Sequence, residues 1–197
     1  MVYPLVALLI ASQMAAQPPS GRARDCKPTD PSYFSGTEFA DRESWYGKHL
    51  AAMKEPRLCA APGVEVYRFL WLRSFHNPIV VRIQRDGDHY TLHGKQLSGA
   101  GGYEPGELLR DTTIRVTNQQ ITSIRALVDN TRFWSMGEER SLGHDGAQWV
   151  LEVVSTGRYH VVDRWSPGDD GKSSSFQRLC LEILALSGLT PNPSEIY

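Results

Sequence analysis

The sequence lacks most of the features from which a specific chemistry can be inferred. Its 21 Lys and Arg nearly cancel 22 Asp and Glu, leaving a formal net charge of −1, so no global basic field attracts nucleic acid or an anionic membrane. No apolar run reaches the roughly 20 residues that a membrane-spanning helix needs. The three cysteines, Cys26, Cys59 and Cys180, are widely separated and follow neither a zinc spacing nor C-x-x-C. G-x-S-x-G and H-E-x-x-H are also missing, so the common nucleophile-elbow and zinc-hydrolase signatures are excluded. Nothing in the chain calls for a cofactor or a metal. His89 and His93 have a suggestive separation of four, but on a strand they stand roughly 13 Å apart and cannot share an ion.

Several stretches carry positive information. Residues 1–16, MVYPLVALLIASQMAA, hold an apolar run from Leu5 to Ala11, and Ala15-Ala16 precede a polar, Pro-containing stretch. This is the layout of a signal peptide cut after Ala16 and implies a secreted or periplasmic protein; a helix packed on the core is the alternative. In an oxidising compartment three cysteines leave one unpaired. Cys180 falls on the apolar helical face of Phe176, Leu179, Ile183 and Leu186, where a thiol is buried and inert, so the expected bridge joins Cys26 to Cys59.

Residues 17–34 are rich in Pro and polar residues and read as an irregular N-terminal segment, followed by a single domain over 35–189 and a tail over 190–197. Ser35 with Glu38 has capping-box spacing and predicts a first helix of about 15 residues that stops before Pro56. Val64 to Arg85 reads as two strands joined at His76-Asn77-Pro78, HYTLHGKQL as a third, and Leu108 to Val116 as a fourth. The glycine-rich SGAGGYEPG, 98–106, is a strand connection that lacks the lysine of a phosphate-binding loop, and SPGDDGKS, 166–173, has Ser166 where such a loop needs its first glycine. Thr117 with Gln120 caps a second helix ending near Thr131, and Ser174 begins a third that Gly188 ends. The expected fold is α+β: a single, mainly antiparallel sheet of about five to six strands with helices packed on one face. Arg68, Arg73, His76 and Arg82 interleave with Phe69, Trp71 and Phe75, a pattern better suited to core packing with arginine at strand ends than to base stacking.

Asp145 to Pro167 predicts a hairpin with a two-residue Thr156-Gly157 turn. That turn sets Val150 opposite Asp163, Trp149 opposite Arg164 and Glu152 opposite Val161. Trp149, Leu151, Val153, His160, Val162 and Arg164 share the more apolar face and should meet the helices, with Arg164 over Trp149 as a cation-π pair. The opposite face carries Gln148, Glu152, Tyr159, Asp163 and Trp165, the candidate ligand-binding residues.

The segments YRFLWLRSFHNPIVVRI, SGAGGYEPG and DGAQWVLEV with YHVVDRWSP resemble those of an uncharacterised family of exported bacterial proteins, over roughly Trp45 to Leu189. The resemblance implies a compact domain behind a signal peptide and supplies no activity. The favoured expectation is therefore an exported, non-catalytic domain that binds an unknown small molecule or protein through the hairpin face, without nucleic acid and without a membrane span after signal removal. One alternative is a hydrolase using Glu152 and Asp163, since paired carboxylates work as acid and base at about 5 to 9.5 Å. Another is a structural or inhibitor-like interaction protein with an exposed apolar patch and no pocket.

Overall fold

The computed structural model describes residues 32–34, 39–137, 139, 143, 145–168 and 174–197. Six strands form one antiparallel sheet: β1 (Val66–Arg73), β2 (Ile79–Asp86), β3 (His89–Leu97), β4 (Leu108–Val116), β5 (Ala147–Ser155) and β6 (Arg158–Trp165). The spatial order is β4-β3-β2-β1-β5-β6, a four-strand meander to which the hairpin adds beside β1. Three helices accompany it: α1 (Glu43–Ala52), α2 (Asn118–Asn130) and α3 (Ser174–Ala185). The α+β class and single antiparallel sheet are as the residues predict.

Local chemistry accounts for the boundaries. The Thr117 hydroxyl accepts from the Gln120 N–H at 3.2 Å while the Gln120 side chain accepts from the Thr117 N–H at 2.9 Å, the reciprocal capping box that starts α2. Thr156 and Gly157 both have positive φ, 51° and 72°, as a type I′ hairpin turn requires. The connection 98–106 is tight: a Cβ on Gly101 would lie 2.5 Å from the Arg73 nitrogen, so only glycine lets it pass behind the end of β1. The first helix is shorter than predicted and starts at Glu43 behind Arg42, which contributes no side-chain cap. The expected Ser35–Glu38 box lies outside the described residues.

The helices divide between the two faces. Helices α2 and α3 pack their apolar stripes against Phe69, Trp71, Ile79, Val81, Trp149, Leu151 and Val153, where Cys180 is a buried free thiol. Helix α1, with Phe34 and Phe39 before it and Met53 just after it, packs Tyr46 and Leu50 on Leu70, Leu72, Val80 and Val150 of the other face. That second cover corrects the expectation of helices on one face only; α1 is too weakly amphipathic to announce which side it would take. The segment expected as a tail is tied down as well. Trp149 Nε1 donates to the Tyr197 carbonyl at 2.8 Å, and Arg73 pairs with Glu195 at 2.7 Å.

Candidate functional site

The hairpin pairs in the expected register, with Val150 opposite Asp163, Trp149 opposite Arg164 and Glu152 opposite Val161. Its candidate face, however, is not open. Glu152, Tyr159 and Asp163 are buried beneath α1 and the segment after it, while Gln148 and Trp165, opposite each other at the hairpin's end, are half-buried. The expectation of an exposed ligand-binding face over these five residues is therefore corrected.

What fills the face is a band of paired charges. Arg68, Arg82 and His93 stand in register across β1, β2 and β3, with Glu152 opposite Arg68 on β5. Arg68 donates through Nε to Glu152 at 2.6 Å and through Nη1 to the Pro56 carbonyl at 2.5 Å, and the Tyr159 hydroxyl donates to Glu152 at 2.8 Å. Glu55, from the segment that follows α1, takes Arg82 at 2.8 Å and Lys95 at 3.0 Å. Burial alone would raise the Glu55 pKa, but Arg82 and Lys95 outweigh it and hold the carboxyl below its ordinary value. Asp163 accepts from Tyr46 at 2.7 Å and from Arg42 at 2.5 Å; burial nevertheless pushes its pKa up against both partners. Arg68 and Arg82 are thus mid-strand ion-pair members, which corrects their placement at strand ends. Arg164 also departs from expectation: it pairs with Glu139 at 3.0 Å and lies 6.0 Å from the Phe176 ring rather than over Trp149.

Each candidate carboxylate has its own cation and its own phenol, Arg68 and Tyr159 for Glu152 and Arg42 and Tyr46 for Asp163. An acid-base pair needs access to a substrate and to water, which this cover denies. A cavity of about 210 Å³ does open elsewhere, between Gln96, Arg110 and the C-terminal Leu189–Asn192 stretch, and none of the five hairpin residues lines it. It is smaller than the roughly 300 to 1,000 Å³ of ordinary ligand pockets. Among the described residues no three His, Cys, Asp or Glu side chains gather to hold a metal, and no helix is long and apolar enough to cross a membrane. Cys26 lies outside the described residues, and with it the expected bridge to Cys59.

The accessible part of the sheet is at the opposite edge. Strand β4 is exposed along nearly its whole length, with only Val116 buried. Leu108, Leu109 and Ile114 are three of the five large hydrophobic side chains exposed among the described residues. The ladder also fixes which β4 backbone groups are free. In an antiparallel pair, residues alternate between those that exchange both hydrogen bonds with their partner and those that turn their groups away. Bonds from Arg85 N to Glu65 O and from Leu97 N to Pro78 O set the phase at β1–β2 and β2–β3. Carried through the registers, that phase bonds Tyr90, Leu92, Gly94 and Gln96 of β3 to Val116, Ile114, Thr112 and Arg110 of β4. The backbone N–H and C=O of Asp111, Thr113 and Arg115 therefore point out of the sheet.

Sequence reasoning found β4 with its correct ends but gave it no role. The available signal was its position last in a meander, which leaves a strand at an edge unless a later strand adds beside it, as β5 does beside β1. Compared with protein-family models the chain finds no match, and compared with curated proteins it finds none either.

Proposed function

We propose that this chain is an exported, non-catalytic interaction domain that receives an extended polypeptide strand along the free edge of β4. The single observation that carries the proposal is the edge itself. It is a nine-residue strand exposed on both faces, whose backbone groups at Asp111, Thr113 and Arg115 have no partner among the described residues, with an apolar flank of Leu108, Leu109 and Ile114. Strand addition draws affinity from main-chain hydrogen bonds and selectivity from alternate side chains, and an edge of this kind offers both. Export rests on the signal-like residues 1–16, and an oxidising compartment would allow Cys26 to pair with Cys59. Hydrolysis by Glu152 and Asp163 has less support, because both carboxylates are buried and occupied.

The test is a photo-reactive amino acid placed at Thr113 in cells exporting the protein, with one at the exposed Arg178 of α3 as control. A covalent adduct to another polypeptide is expected from position 113 only. It should vanish when Arg115→Pro removes a neighbouring outward N–H. Equal labelling from both positions, or labelling indifferent to the proline, contradicts strand capture at this edge.

A further inference from the structure

Resting on that reading, we infer that the strand received by β4 is the β4 of a second copy, paired antiparallel about Thr113. In a symmetric antiparallel pair the outward-facing residues must meet one another, so the two-fold axis can fall on Asp111, Thr113 or Arg115 or, between them, on Thr112 or Ile114. Centring on Thr112 or Ile114 sets Thr113 against Asp111 or Arg115 of the second copy and pairs no opposite charges. Centring on Asp111 would oppose two carboxylates, and centring on Arg115 two guanidinium groups. Centring on Thr113 sets Asp111 opposite Arg115 of the second copy, and Arg115 opposite its Asp111. All three outward residues then find partners at once, with two backbone hydrogen bonds exchanged in each pair.

The side chains agree with the backbone. Asp111 and Arg115 are exposed and make no hydrogen bond or ion pair with the described residues, so each is free to take the opposite charge. On the other face this register puts Ile114 beside Thr112 of the second copy, with the two Ile114 side chains as diagonal neighbours. Edge strands are commonly protected by charges that repel every approaching strand. Here the two signs, four residues apart, select one self-complementary register instead. The contact is confined to one strand per copy, which predicts a weak dimer that dissociates on dilution.

Charge reversal tests the register by sedimentation velocity over a concentration series of the full mature chain. The wild type should shift from monomer to dimer as concentration rises. Asp111→Arg alone sets Arg against Arg115, and Arg115→Asp alone sets Asp against Asp111, so each should remain monomeric at ten times the wild-type midpoint. Mixing the two variants should restore a 1:1 dimer, as should the double reversal D111R/R115D. Unchanged melting temperatures would show that each variant is folded. A wild type that stays monomeric throughout, or single reversals that dimerise as the wild type does, overturns the inference. Cross-linking from Thr113 then separates the two proposals. An adduct to a different polypeptide, sensitive to Arg115→Pro, leaves strand addition standing while self-pairing falls; loss of both signals removes both.

Discussion

The two edges of the sheet have been treated in opposite ways. Along β6, Asp163 is held by Arg42 and Tyr46, His160 meets the Met136 carbonyl at 3.0 Å, and Arg164 reaches the Gly137 carbonyl at 3.0 Å. Arg158 lies 4.2 Å from the centre of the Trp134 ring, and Arg164 Nη1 caps the Asp163 carbonyl at 2.7 Å. Along β4 the described residues supply no comparable cover, and its charged side chains are exposed. The difference teaches that a chemically varied face can be structural while a plain one is available. Glu152 and Asp163, the hairpin carboxylates that look fit for a ligand, are committed to cations and phenols within the fold, whereas among the described residues LLRDTTIRV pairs on one side only.

Breaking the covered half should cost the most. Glu152→Ala strips Arg68 of its counter-charge in a fully buried position, and an unpaired buried charge of this kind costs about 3 to 5 kcal/mol. Urea denaturation should show that loss, while replacing both partners with apolar residues of similar volume should be far milder. A cost under about 1 kcal/mol for Glu152→Ala would mean that the band of charges does not hold the cover to the sheet.

Acid should attack the same half. His49 is fully buried on α1, and burial, helped by Lys48, outweighs the opposing pull of Glu104 and the Gly101 backbone and lowers its pKa to about 4. The folded state therefore binds the proton less readily than the unfolded chain. The stability this provides is complete above about pH 6.5 and is lost as pH falls toward 4, a change of about 3 kcal/mol. Glu65, held from the α2 side of the sheet, continues the trend to lower pH. Burial would raise its pKa, but hydrogen bonds from Arg125, Tyr90 and Tyr67 hold it at about 2, so its contribution is present above about pH 4.5 and fades as pH drops to 2. His49→Phe should flatten the slope between pH 6.5 and 4 and leave the slope below it. An unchanged slope would contradict the assignment.

Smaller effects are expected toward the exposed side. Thr117→Ala removes the cap on α2, the helix that follows β4, and should cost about 1 kcal/mol in thermal or urea unfolding. Thr113→Pro deletes an N–H that points away from the sheet. It should change monomer stability by less than about 1 kcal/mol, because proline is tolerated on edges, and yet abolish association at β4. A large loss of monomer stability would mean that Thr113 bonds β3 and that the phase of the ladder is wrong.

The parts of this fold legible in the sequence are those governed by short-range rules. The Thr117 box, the Thr156-Gly157 turn and the ends of β4 follow from residues within a few positions of one another. The hairpin register follows from its turn length, which is why Glu152 lands opposite Val161 as expected. What covers the hairpin is set at long range. Arg42 meets Asp163 across 121 positions and Glu55 meets Lys95 across 40, and neither pair leaves a periodic trace. Charged residues on alternating strand positions read as solvated because only the distant cover neutralises them. The weakly amphipathic α1 gave no sign of which face it would occupy.

The most direct measurement of the central claim is residue-resolved amide hydrogen exchange along β4 at several protein concentrations. The amides of Arg110, Thr112 and Ile114 should be slow at every concentration because they bond β3. Those of Asp111, Thr113 and Arg115 should be fast when dilute and become protected together as concentration rises. Outward amides that exchange rapidly at all concentrations would contradict self-pairing, and an absence of alternation would contradict the free edge itself.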